Sequence, residues 1–113
     1  MAVADKPVVW LAGEVKTPPF STEARIEAGF LLRRLQRGDS LSMPQARAMP
    51  DVGRRCFEIR VRDEKKNWRI VVRVDTDAVV VAEVFEKKSR TTPAKTIALS
   101  KDRLRRYDEA TKG

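Results

Sequence analysis

Between Cys56 and Phe85 the chain reads as three short strands separated by tight polar turns, and nothing else in the sequence constrains the fold so strongly. Cys56–Arg62 alternates strictly: Phe57, Ile59 and Val61 fall on one face, and Glu58, Arg60 and Arg62 on the other. Asp63-Glu64-Lys65-Lys66-Asn67 forms a polar turn. Trp68–Val74 resumes with Arg69, Val71 and Arg73 on one side and Trp68, Ile70, Val72 and Val74 on the other. After Asp75-Thr76-Asp77, the valine run of Ala78–Phe85 predicts a strand buried on both faces, hence central in its sheet. Turns this short join antiparallel neighbours, so the segment predicts a meander.

The meander needs a cover for its apolar face, and the preceding segment supplies one. Ala24, Ala28, Leu31, Leu32 and Leu35 recur at helical spacing, with Ile26 and Phe30 widening the stripe. Ser21 suits the N-cap, Glu23 complements the positive end of the helix dipole, and Gly38 suits the C-terminus, so Ser21–Gln36 is predicted helical. Pro7–Leu11 predicts a first strand, ended by Ala12-Gly13 and separated from the helix by Thr17-Pro18-Pro19. Leu41–Arg55, with Pro44 and Pro50, reads as a loop holding one helical turn near Gln45–Ala48. Thr92 as N-cap and Pro93 at the first helical position open a closing helix, with Ala94, Ile97, Ala98, Leu104 and Tyr107 on its apolar side. The expected fold is therefore α+β, with residues 1–113 as one domain: an N-terminal strand and long helix packed on an antiparallel meander, then a C-terminal helix.

Charge narrows the function. The net charge is +8, and it is lopsided: residues 1–52 hold seven Lys/Arg against six Asp/Glu, whereas residues 53–113 hold seventeen against ten. A basic excess confined to one half suits a polyanionic partner, although a solvated surface accounts for charge alone equally well. There is no histidine, which removes imidazole triads and histidine metal sites. Cys56 is the sole cysteine, excluding an internal disulfide and a cysteine zinc site, and it reads as a small buried hydrophobe. No apolar run is long enough to cross a bilayer and no signal-peptide pattern opens the chain, so the expectation is a cytoplasmic protein without membrane partners. Phosphate-binding glycine loops and helix-turn-helix context are missing as well.

Cleaving RNA through its own 2′-OH requires a proton acceptor, cations for the phosphorane and a proton donor for the 5′-oxygen. Arginines suit the middle role, and Arg60, Arg62, Arg69 and Arg73 are the candidates. Lys87 and Lys88, after the last strand, are candidates for phosphate contact or proton transfer; read alone, they also fit a solvated edge. Glu58 and Glu86 are the nearby carboxylates, and hence the possible general bases. Glu58 reads more readily as the partner of an arginine across the sheet. Trp10, Phe57 and Phe85 are expected in the core; Trp68 and Tyr107 are candidates for stacking on bases, with core packing the default reading for Trp68.

These pieces stand in a familiar order. Met49-Pro50-Asp51-Val52-Gly53-Arg54-Arg55 leads into Cys56-Phe57-Glu58-Ile59-Arg60-Val61-Arg62-Asp63. Trp68-Arg69-Ile70-Val71 follows, and then Val84-Phe85-Glu86-Lys87-Lys88-Ser89-Arg90-Thr91-Thr92-Pro93. The chain resembles the phage-derived, HigB-like branch of the RelE/ParE toxin superfamily. That resemblance implies the toxin of a type II toxin–antitoxin pair, acting as a ribosome-dependent mRNA endoribonuclease (an mRNA interferase) without metal or organic cofactor. It implies mRNA on the ribosome as target and a cognate antitoxin, commonly of helix-turn-helix type, with operator DNA bound only through the toxin–antitoxin complex. Carried over by position, Arg60, Arg69, Lys87 and Lys88 take the catalytic places, with Arg62, Arg73 and Arg90 as further RNA contacts. Several superfamily members place a His or Tyr in the stretch corresponding to residues 85–93, and this chain has neither there. The superfamily also includes ParE-like toxins that inhibit a protein target such as gyrase, so that reading stays open, as does a degenerate member binding only RNA or antitoxin.

Overall fold

The computed structural model describes residues 5–112. Its elements run β1 (Val8–Trp10), α1 (Thr22–Gln36), β2 (Ala46–Ala48), β3 (Cys56–Asp63), β4 (Lys66–Val74), β5 (Val79–Glu86) and α2 (Ala94–Thr111). The five strands form one sheet in the order β1-β5-β4-β3-β2. β3, β4 and β5 make the expected antiparallel meander, and β1 lies parallel to β5, so the sheet is mixed. The fold is α+β, as the sequence predicts.

The two faces of the sheet divide the apolar residues by strand parity. Ile59, Val61, Ile70, Val72, Val79 and Val81 are fully buried on one face beneath Ala24, Ala28, Leu31, Leu32 and Leu35 of α1. Burying each such side chain contributes roughly 1.5–3 kcal/mol, so this interface holds the architecture. Cys56, Val71, Val80 and Ala82 turn to the other face, where Leu104 of α2 meets them with Ile97 and Tyr107 beside it. β5 feeds both cores by its ordinary alternation; a bulge opposite Val71 and Val72 then inserts Ala82 into its ladder, and the Ala82 carbonyl accepts a hydrogen bond from Arg103 Nη1 at 2.9 Å.

Local chemistry fixes the entry to α1. Ser21 caps it, its hydroxyl accepting from the Ala24 amide at 3.0 Å, and the Ser21 amide donates to Asp63 Oδ2 at 2.9 Å. The same oxygen accepts from the Trp68 indole at 3.0 Å, and Trp68 stacks on Phe20 with ring centroids 4.3 Å apart. One carboxylate thus ties the helix start to the β3–β4 turn. Gly13 has φ +77, and a Cβ there would sit 2.8 Å from Val84 Cβ, so only glycine lets the chain pass this strand.

Three expectations are corrected. Ala46–Ala48 is an edge strand and not a helical turn, because its backbone pairs with Phe57–Ile59. Thr92 does not cap α2: Pro93 holds that position, and the Thr92 hydroxyl donates to Glu58 instead. Trp10 is not core but 43% exposed, since three-residue β1 forms the sheet margin. Phe57 and Phe85 are only partly buried.

Candidate nucleic-acid interface

α2 covers only part of its face of the sheet, leaving the Arg60–Arg69 end open. The register sets Arg60 directly against Arg69 across β3 and β4, so both guanidinium groups rise on the same side. Like charges placed directly opposite are destabilising, and the arrangement calls for an anion above it. Past the end of β5, the Lys87 amide donates to the Asn67 carbonyl at 2.7 Å, continuing the ladder and bringing Lys87 to this face. Arg60, Asn67, Arg69, Lys87, Lys88 and Arg90 together line an open depression of about 440 Å3. The cations come from two separate strands and the segment following a third.

Beneath the depression lies a carboxylate. Glu58 is fully buried on β3. Its Oε2 accepts from Thr92 Oγ1 at 2.6 Å, while Oε1 lies 3.5 Å from Arg69 Nε and 3.6 Å from Lys87 Nζ. Neither Glu58 Oε1 nor Arg69 Nε completes a hydrogen bond, so the cluster is held by charge more than by directed bonds. Arg69 also donates to the Trp68 carbonyl at 3.1 Å. Burial pushes its pKa below the usual arginine value and the nearby Arg60 adds to this, while Glu58 opposes both.

The predicted residues therefore separate. Arg60, Arg69, Lys87, Lys88 and Arg90 converge on one depression. Arg62 lines the depression next to it, which shares Arg60, Asn67 and Arg69. Glu58 sits underneath, out of contact with solvent. Arg73 lies four residues along β4 from Arg69, about 13 Å away. It is bound there by Asp75 at 2.8 and 3.0 Å and by Asp108 of α2 at 2.6 and 2.9 Å. Those partners, Asp108 foremost, raise its pKa, and Arg73 in turn holds the Asp108 carboxyl below the usual range. Glu86 is the register partner of Trp68, whose ring faces α1, and so belongs to the opposite face from Arg69. Tyr107 packs against the α2 core.

Two residues in the adjoining depression escaped the sequence reading. Glu23 and Glu27, exposed on α1, line it with Arg60 and Arg62. Their i, i+4 spacing put them on one helix face, but only the packing of α1 against β3 brings that face to the sheet edge. Among the described residues, no group of three or more His, Cys, Asp or Glu side chains is arranged to hold a metal ion, and no helix is long and apolar enough to cross a membrane.

A mixed sheet with one helix on each face, and a cationic floor where the second helix stops, is compatible with a RelE-like fold. The family described as Phage derived protein Gp49-like (DUF891) matches residues 19–105, a span that takes in every residue of both depressions. The chain belongs to that family, one of RelE/HigB-like toxins of toxin–antitoxin systems, and this membership implies an antitoxin partner. No curated protein matches the chain.

Proposed function

We propose that this toxin is an mRNA interferase: a metal-independent endoribonuclease that cuts messages on the ribosome. The observation that carries the reading is the convergence of Arg60, Arg69, Lys87, Lys88 and Arg90 on one exposed depression. In the reaction, the 2′-oxygen attacks phosphorus in line and the bond to the 5′-oxygen breaks, leaving a 2′,3′-cyclic phosphate and a 5′-hydroxyl. Arg60 and Arg69 hold the non-bridging oxygens and stabilise the charge that builds on the phosphorane. Lys87 and Lys88 handle the two proton transfers, from the 2′-hydroxyl and to the leaving 5′-oxygen. Arg62 and Arg90 draw in the flanking phosphates. Glu58 contacts no substrate in this scheme; buried against Arg69 and Lys87, it is a positioning residue.

Inducible expression with mapping of message 5′ ends tests the reading. Growth arrest with cleaved messages, both lost in Arg69→Gln, is the expected result. Arrest with intact messages and induced DNA damage would replace it with a ParE-like action on a protein target.

A further inference from the structure

The side of α1 turned away from the sheet carries an apolar pair that the core does not use. Helical spacing assigns Ile26 and Phe30 to the covered stripe, yet they are 62% and 55% exposed, because Ala24, Ala28, Leu31 and Leu35 already fill the side against the sheet. Glu23, Ile26, Phe30 and Arg33 follow one another at steps of three, four and three residues, and all four are exposed. That is the spacing of a helix-pairing seam. It is acidic at its N-terminal end, apolar in the middle and basic at its C-terminal end. Gly29 lies beside it. Glycine inside a helix costs about 1 kcal/mol relative to alanine. Among the described residues nothing requires it there, since a Cβ would meet no atom within 4 Å.

We propose that this face of α1 is a self-association surface, through which two copies of the chain pair antiparallel about a two-fold axis at the level of Ala28. The distribution of charge selects a second copy as the occupant. With the helices antiparallel, Ile26 meets the partner's Phe30 and Glu23 meets the partner's Arg33, and the symmetry makes each contact twice. A parallel pairing in register sets Glu23 against Glu23 and Arg33 against Arg33, where like charges repel. Gly29 also finds its use. A side chain entering from a facing helix sits in a hole bounded by four residues. Ile26, Gly29, Phe30 and Arg33 bound such a hole, and the missing Cβ widens it for the partner's Ile26. Arg33 holds Asp5 at 2.8 Å, a surface pair of the kind worth little, and its guanidinium keeps further donors for the partner's Glu23. Because α1 covers the face of the sheet opposite the cationic floor, the pairing leaves the depression above Arg60 and Arg69 accessible in each copy. It is independent of the nuclease reading. A seam on a helix of 15 residues is small, so the dimer is weak and concentration-dependent.

Sedimentation equilibrium of the purified full-length chain, at low salt over a dilution series, provides the test. The expected result is a reversible monomer–dimer equilibrium in the wild type that is lost in Phe30→Glu. Glu23→Arg and Arg33→Glu each bring like charges together at two symmetric contacts and should raise the dimer Kd about tenfold, whereas the double variant should restore it. Circular dichroism checks that these exposed substitutions leave the fold unchanged. A dimer that survives Phe30→Glu, or single reversals that the double variant does not rescue, overturns the antiparallel pairing. So does a wild type that stays monomeric throughout; antitoxin binding lost in Phe30→Glu would then assign this face to the antitoxin.

Discussion

Arg60 and Arg69 face each other as direct register partners on β3 and β4, with no carboxylate of the open surface between them. A fold selected for stability alone would not set two guanidinium groups there, since each raises the free energy of the other. Arg60→Gln should therefore raise stability by about 0.5 kcal/mol while reducing growth arrest, as expected where function is held against stability. Chemical denaturation beside a plating assay measures both. A variant that is less stable and fully toxic would remove the argument.

Glu58 should behave as a buried anchor. Glu58→Gln leaves Arg69 and Lys87 without their counter-charge, and breaking a buried pair in this way destabilises by about 3–5 kcal/mol. Thr92→Val removes the hydroxyl that donates to Oε2 and should cost about 1–3 kcal/mol. The double variant should lose less than the sum, because the two groups share one contact. Strict additivity in urea unfolding would show that Thr92 and Glu58 act separately.

Acid should loosen both helices, α2 at Asp108 and the start of α1 at Asp63. Asp108 and Asp63 both have folded pKa values below the unfolded carboxylate value: Asp108 through its bonds to Arg73, Asp63 through the Ser21 amide first and then the Ser21 hydroxyl and Trp68 indole. Their contributions are fully present above about pH 4 and are lost as pH falls through the depressed folded values. Thermal melting between pH 6 and pH 2.5 should show this decline, and Asp108→Asn should flatten it. A melting temperature that does not change over that range would contradict the assignment.

Gly13→Ala should destabilise by about 1–3 kcal/mol, because the new methyl group meets Val84 in a backbone conformation that alanine resists. Gly29→Ala is the control: nothing lies within 4 Å of a Cβ there, and alanine favours a helix, so it should be neutral or stabilising.

Much of the fold was legible because parity and helical phase are local. Phe57, Ile59 and Val61 against Glu58, Arg60 and Arg62 already separate the α1 side of β3 from the open side. Ser21 and the Leu31–Leu35 stripe likewise mark α1. What could not be read depended on partners distant in sequence. Ala46–Ala48 is a strand only because Phe57–Ile59 accepts it, and Thr92 leaves its capping position only because Glu58 lies within 2.6 Å. In the candidate site, Arg60, Arg69 and the two lysines were recognisable by residue type and order. Arg73 shares their strand face, yet nothing local shows that Asp75 and Asp108 occupy its guanidinium. Glu23 read only as a partner of the helix dipole, and Glu27 not at all, until α1 was set beside the sheet edge.

The extra residue in β5 decides more than the shape of a ladder. With Ala82 inserted, Glu83, Phe85 and Lys87 inherit the side that Val80 occupied, and so Lys87 comes up beside Arg69. Pairing the same residues without the bulge would keep every charged residue in the chain and still turn Lys87 toward α1, setting Glu86 opposite Asn67 in its place. The alignment of this surface is set by a frame shift within one strand, some distance from any side chain that would touch RNA.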